Sequence, residues 1–163
     1  MSRLRCDCGD TECPSCWTAQ GTIPFECVFC HAVVAGDPDE HVCAEKTVAI
    51  VGTRDFQTPA IAAHFKQAVE KYVNALPPGT VVVTGGARGV DSWAEQAAVA
   101  AGLMVVVYTA KWRELGKAAG MIRNTEIVKR CDRLVAFWNG KSRGTADTIT
   151  KARKAGKSVE VCS

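Results

Sequence analysis

Five short runs of aliphatic and β-branched residues constrain this chain more than any other feature: Thr47–Val51, Thr80–Thr84, Leu103–Val107, Arg133–Phe137 and Ser158–Cys162. Amphipathic stretches long enough for helices lie between them, beginning near Pro59, Val90, Ala118 and Gly144. Runs that are apolar throughout suit strands buried on both faces, and strands that alternate with helices build a parallel sheet through right-handed crossovers. The expected fold is therefore α/β, a three-layer domain with a parallel sheet of about five strands in an order such as 3-2-1-4-5. Thr58 is placed to cap the first helix with Pro59 as its first residue, and Leu76-Pro77-Pro78-Gly79 should stop that helix sharply.

The chain changes character near Glu45. Up to that point Arg3 and Arg5 face 8 Asp and Glu residues, a formal charge of −6, whereas the remainder carries 18 Lys and Arg against 9 Asp and Glu, or +9. Seven of the 9 cysteines lie in the first part. The expected division is a cysteine-rich module over residues 1–45 and the α/β domain over 46–163. Potential ligands in the module come as close pairs, Cys6/Cys8, Cys13/Cys16, Cys27/Cys30 and His41/Cys43. Eight ligands suit two tetrahedral zinc sites, and the C-x-x-C pairs have the spacing that lets two sulfurs grip one ion. So short a segment has too few apolar anchors to fold by burial alone, so its folding should be coupled to structural zinc. The spacing does not choose between sequential and cross-braced pairing, and His31 is an alternative to His41. A disulfide framework is the competing reading, disfavoured by seven cysteines and by the absence of an apolar leader after Met1-Ser2-Arg3. The same absence, with no apolar run near the ~18 residues a membrane span needs, leads to the expectation of a cytoplasmic protein without a membrane partner. An acidic module is poorly suited to nucleic acid and better suited to docking on a protein or on a basic surface.

Glycine and arginine recur after three of the strands. Gly52-Thr53-Arg54-Asp55 follows the first, Thr84-Gly85-Gly86-Ala87-Arg88-Gly89 closes the second, and Trp138 to Thr145, with Ser142, Arg143 and Gly144, follows the fourth. In a parallel sheet these loops share the carboxyl edge, where ligands bind at the point of strand-order reversal. Glycines allow backbone amides to approach a ligand, helix N-termini offer positive dipole ends, and Arg54, Arg88 and Arg143 supply forks for phosphate or carboxylate. An anionic ligand is expected. Arg123 and Asn124 either point into the crevice or lie on a solvated helix face. Asp91 either orients Arg88 or a ribose hydroxyl, or sits in a first helical turn with no function. Trp112 and Trp138 are weighed toward packing rather than stacking, His64 toward a structural role, and Cys131 and Cys162 toward buried thiols at strand ends.

Four segments together resemble a known family: Val51-Gly-Thr-Arg-Asp-Phe56, Val83-Thr-Gly-Gly-Ala-Arg-Gly-Val-Asp91, Gly116-Lys-Ala-Ala-Gly-Met-Ile-Arg-Asn124 and Ala136-Phe-Trp-Asn-Gly-Lys-Ser-Arg-Gly-Thr145. They resemble the YspA-like, YpsA-related branch of the SLOG superfamily, over nearly all of Val48 to Val161. The cysteine-rich module is outside that resemblance, although such leaders are at home in phage and actinobacterial versions. The resemblance implies a Rossmann-like fold that binds a phosphorylated nucleotide-derived small molecule, with signals related to ADP-ribose among those proposed for the superfamily. Zinc, read from the cysteine and histidine pairs, is the cofactor expected, with no redox cofactor, and so small a Rossmann-like domain is compatible with a homodimer that sets two sites together.

Two other branches frame the alternatives. The LOG-type phosphoribohydrolases use an arginine before a helix, to which Arg123 is similar, and a glutamate where this chain has Thr148. That departure weakens an N-glycosidic hydrolase reading, in which Arg123, Asp91 and Asp147 are the catalytic candidates. The DprA-type branch binds single-stranded DNA. The +9 of the domain tolerates this, but the arginines sit in loops built for a compact ligand rather than along a groove interleaved with aromatics, so nucleic acid is the less favoured partner.

Overall fold

The computed structural model describes residues 47–163 together with two short strands, β1 (Phe25–Glu26) and β2 (Val33–Val34), which pair antiparallel with Phe25 opposite Val34. The expected metal ligands Cys6, Cys8, Cys13, Cys16, Cys27, Cys30, His41 and Cys43 lie outside the described residues, as does His31. The chain divides into two units, Met1–Ala44 and Glu45–Ser163.

The second unit is a five-stranded parallel sheet, β3 (Thr47–Gly52), β4 (Val81–Thr84), β5 (Met104–Val107), β6 (Arg133–Phe137) and β7 (Ser158–Cys162), in the order β5-β4-β3-β6-β7. Counted along the domain this is 3-2-1-4-5, so the α/β, Rossmann-like expectation holds. α1 (Pro59–Asn74) and α2 (Val90–Ala100) pack on one face; α4 (Ala119–Arg130) and α5 (Arg143–Lys154) pack on the other. Side chains alternate across each strand, and the two cores follow that alternation. Val48, Ile50, Val82, Val135 and Phe137 meet Phe65, Val69 and Val73 of α1 and Val90, Ala94 and Ala98 of α2. Ala49, Val51, Val83, Leu134 and Ala136 meet Ile127 and Val128 of α4 and Ile149 and Ala152 of α5. Burying each valine or leucine contributes ~1.5–3 kcal/mol, which explains why the central strands β3, β4 and β6 are apolar on both faces.

Local signals act where they were read. Thr58 is extended, its Oγ1 accepts from the Ile61 amide at 3.3 Å, and Pro59 begins α1. β4 and β5 start one residue later than the apolar runs because the preceding turns use the donors of Thr80 and Leu103. The Thr80 amide and hydroxyl both go to the Pro77 carbonyl, and the Leu103 amide goes to Ala98. β3 runs one residue further, to Gly52, which pairs with Phe137. The crossover before β6 also differs: a four-residue helix, α3 (Trp112–Leu115), and a 3-10 turn over Gly116–Ala118 precede α4. Cys131 is buried at the end of α4, but Cys162 on edge strand β7 is only half-buried. No helix among the described residues is long and apolar enough to cross a membrane.

Candidate functional site

The chain reverses direction across the sheet at β3, since β4 and β5 are laid down on one side of it and β6 and β7 on the other. The loops after β3 and β6 therefore leave toward opposite faces and open a crevice between them. Glycines and one buried threonine fasten its walls. A Cβ at Gly52 would run into the Phe137 carbonyl and the Val90 side chain. The buried Thr53 donates its amide to Phe137 O at 3.0 Å and accepts from the Asn139 amide on Oγ1 at 3.1 Å, tying the first loop to the fourth. The Val90 amide donates to Thr53 O at 3.3 Å, tying it to the second. Gly89 has φ +78°, and a Cβ there would sit 2.6 Å from Thr53 O, so the crossing needs glycine twice over.

Asp91 joins these loops from below. Its carboxylate is 3% exposed and accepts from the amides of Gly52 at 3.2 Å, Gly85 at 3.1 Å and Ala87 at 3.5 Å. Arg123 reaches across from α4, with Nη1 3.7 Å from Asp91 Oδ2 while also donating to the Gly85 carbonyl. Gly85 is what admits it, because a Cβ at that position would fall on the guanidinium. Burial pushes the Asp91 carboxyl up to about 6, against the opposing pull of Arg123 and the three amides. Burial likewise lowers the Arg123 guanidinium, Asp91 holds it up, and the positive charge of Arg54 lowers it further. Nε of Arg123 is buried without an acceptor among the described residues.

The fourth wall is the N-terminus of α5. Ser142 caps it, its Oγ accepting from the Thr145 amide at 3.4 Å and the Thr145 hydroxyl at 3.0 Å. Asn139 Oδ1 accepts from the amides of Lys141 at 3.0 Å and Ser142 at 3.3 Å, which shapes the turn before the cap. Trp138 packs on the second core and donates Nε1 to Ser142 O at 3.1 Å. Asn124 links α4 to α5 by donating to Gly144 O at 3.2 Å and Asp147 Oδ2 at 3.0 Å, and Lys151 holds Asp147 at 2.7 Å.

These walls enclose a cavity of about 370 Å³ whose lining includes Gly52, Arg54, Ala87, Asp91, Arg123 and Asn124 from the first three segments and Ser142, Arg143, Gly144 and Thr145 from the fourth. A second cavity of about 450 Å³ adjoins it through Arg54, Ser142, Arg143 and Gly144 and reaches Thr53, Asn139 and Lys141. The remaining sequence candidates are placed elsewhere. Arg88 is exposed, pairs with Asp55 at 3.5 Å and does not line either cavity. Thr84 is fully buried and donates to Glu95, while Gly85, Gly86 and Gly89 act through the backbone without lining either cavity. The lining residues that were not assigned to the site from sequence include Lys117, and Trp112, which is 56% exposed instead of packed in the core. The segment Gly116-Lys-Ala-Ala-Gly carried the available signal, since a basic residue between glycines just before a helix is placed to face an anion.

Residues 31–114, about half of the chain, match the family described as DNA recombination-mediator protein A. The chain belongs to the DNA recombination-mediator protein A family. It is 42% identical over 95 residues to the Gene 61 protein of Mycobacterium phage D29, a stretch covering 55% of this chain and 76% of that protein. Its fold is similar to DNA processing protein A from Streptococcus pneumoniae, with a TM-score of 0.60 at 21% identity over 71% of this chain and 49% of that one. It is similar also to DNA processing protein A from Helicobacter pylori, which has its own single-stranded DNA binding mode, with a TM-score of 0.53 at 22% identity over 71% of this chain and 64% of that one. The chain thus spans about half the length of the first of these proteins and under two-thirds of the second.

The two carboxylates lining the first cavity are both engaged by neighbouring groups. Asp91 is occupied by three amides and Arg123. Asp147 is occupied by Lys151 and Asn124, and the buried Thr148 hydroxyl donates to Gly144 O at 3.0 Å. Both carboxylates therefore serve as acceptors that position the loops of the crevice. By contrast Arg54, Lys117 and Arg143 line the cavity with no ion pair to a carboxylate among the described residues.

Proposed function

We propose that the α/β domain binds a phosphorylated nucleotide-derived small molecule, with its phosphate held by Arg54, Arg143, Lys117 and the N-terminal amides of α5. The observation that carries this reading is the set of three cations on one cavity that have no ion pair among the described residues, beside a buried Arg123 Nε that lacks an acceptor among them. A cavity of about 370 Å³ is the size of a small-ligand pocket, and charge-assisted contacts from arginine forks and a helix N-terminus are the usual means of holding phosphate. ADP-ribose-related signals and the YspA-like branch fit this reading, and the occupied state of Asp91 and Asp147 favours capture over cleavage.

The test is incubation of the full chain with nucleoside phosphates, ADP-ribose, its cyclic forms and cyclic dinucleotides, followed by denaturation and mass spectrometry of what is released. Intact ligand recovered from wild type, and lost with Arg54→Ala and Arg143→Ala, supports the binder. Recovery of base plus ribose phosphate would replace it with an N-glycosidic hydrolase.

A second reading is supported by the relatives: a single nucleotide of a DNA strand offers the same phosphate, and the DNA processing protein A of Helicobacter pylori binds single-stranded DNA. Retention of oligonucleotide but of no free nucleotide, with affinity falling steeply as salt rises, would favour it.

A further inference from the structure

We infer that Trp112 is the wall on which the ligand's base stacks, so that this crevice recognises base and phosphate together; the inference rests on the phosphate-binding reading above. The indole is 56% exposed and, among the described residues, is the only aromatic side chain lining the first cavity. Nothing in the core calls for it. α3 and the following 3-10 turn bury no residue, and Lys111, Arg113, Glu114 and Lys117 surround the indole with charge, Leu115 being the other large apolar side chain of the segment. An exposed tryptophan on the wall of a cavity offers its π-face to whatever enters that cavity.

The ring is also held in position. A Cβ at Gly120 would lie 3.1 Å from Cη2 of Trp112 and 3.8 and 3.9 Å from Cζ2 and Cζ3, so the glycine lets the benzo edge rest close against the first turn of α4. That turn leads to Arg123 and Asn124, both on the same cavity. An indole fixed on one side and open on the other, on a cavity with three cations, is suited to a flat ring carrying a phosphate. Stacking depends on a π-face and not on a hydrogen-bond pattern, so the site should tolerate different bases.

The base is supplied either by a free nucleotide or by a strand, and three probes separate these sources: AMP, ribose 5-phosphate and a short deoxyadenosine oligonucleotide, titrated calorimetrically into the full chain. AMP, or the oligonucleotide if a strand is the source, should bind about tenfold or more tighter than ribose 5-phosphate, with quenching of tryptophan fluorescence. Trp112→Ala should collapse that preference, Trp112→Phe should keep most of it, and Gly120→Ala, which displaces the ring without removing it, should fall between. Dependence on Trp112 for the oligonucleotide alone supports the stacking with a strand as the source. Equal binding of AMP and ribose 5-phosphate, with no gain from the oligonucleotide, overturns the stacking and leaves the phosphate site standing. A preference that survives Trp112→Ala in a variant with the wild-type circular dichroism spectrum also overturns it. Failure of all three probes removes the phosphate-binding reading itself, and the stacking with it.

Discussion

At Asp91 three backbone amides from two loops and one guanidinium converge on a single carboxylate buried at 3% exposure. Burial raises its pKa to about 6, above the usual 3.8, so the folded chain binds this proton more tightly than the unfolded chain does. The stabilisation linked to it is fully present below about pH 4 and is lost as the pH rises through about 6. The difference is on the order of 3 kcal/mol. Thermal unfolding of wild type compared with Asp91→Asn, which has no such proton, should show the gap between them changing across that window; a constant gap would mean that Asp91 does not titrate there. Gly85 belongs to the same unit, because any side chain at that position would displace the guanidinium. The sequence reading made the glycines of the second loop a ligand-binding turn, whereas in the structure they line neither cavity. Their nearer role, making room for Arg123 and for the Thr53 carbonyl, was not legible in sequence, since it depends on residues brought in from other segments.

Two of the helices begin on side-chain caps, and their positions give the caps different weight. Thr58 starts α1, whereas Ser142 starts α5 at the edge of both cavities. Ser142→Ala should cost about 1 kcal/mol in urea unfolding, and Ser142→Gly only a few tenths. If Ser142→Ala unfolds at the wild-type midpoint, the hydroxyl is not capping α5. α2 has no side-chain cap, and Gly89 at its start is held by the crossing with Thr53 and Arg54. The strands and long helices were readable because apolar runs and capping residues act over a few neighbouring positions. α3 was missed: four residues with no buried side chain leave no hydrophobic period to read.

For the whole molecule, the opposite charges of the two parts, −6 through Glu45 and +9 beyond it, follow from the sequence. We propose that the first part is a structural zinc module and that its acidity suits it to a protein partner rather than to DNA. Metal analysis of the purified full chain should return about two zinc ions. One ion, or none with the cysteines oxidised, would overturn the four-pair assignment. In the α/β domain the reversal of chain direction at β3 brings the loops after β3, β4 and β6 together, so three segments far apart in sequence form one crevice.

The sequence by itself determined the layer architecture and the carboxyl edge on which the glycine-rich loops lie, whereas the strand order, for which 3-2-1-4-5 was one example, was decided by the tertiary structure. The layers and the edge follow from local patterns, namely continuous apolar runs, helical caps and the right-handed crossover. The tertiary structure decided which side chains of those loops enter the crevice. It turned Arg88 out to Asp55, locked Arg123 onto Asp91 and set Trp112 open on the cavity. The physical reason is distance along the chain: the contact between Thr53 and Asn139 spans 86 residues, and side-chain direction at such a junction is set by packing between segments.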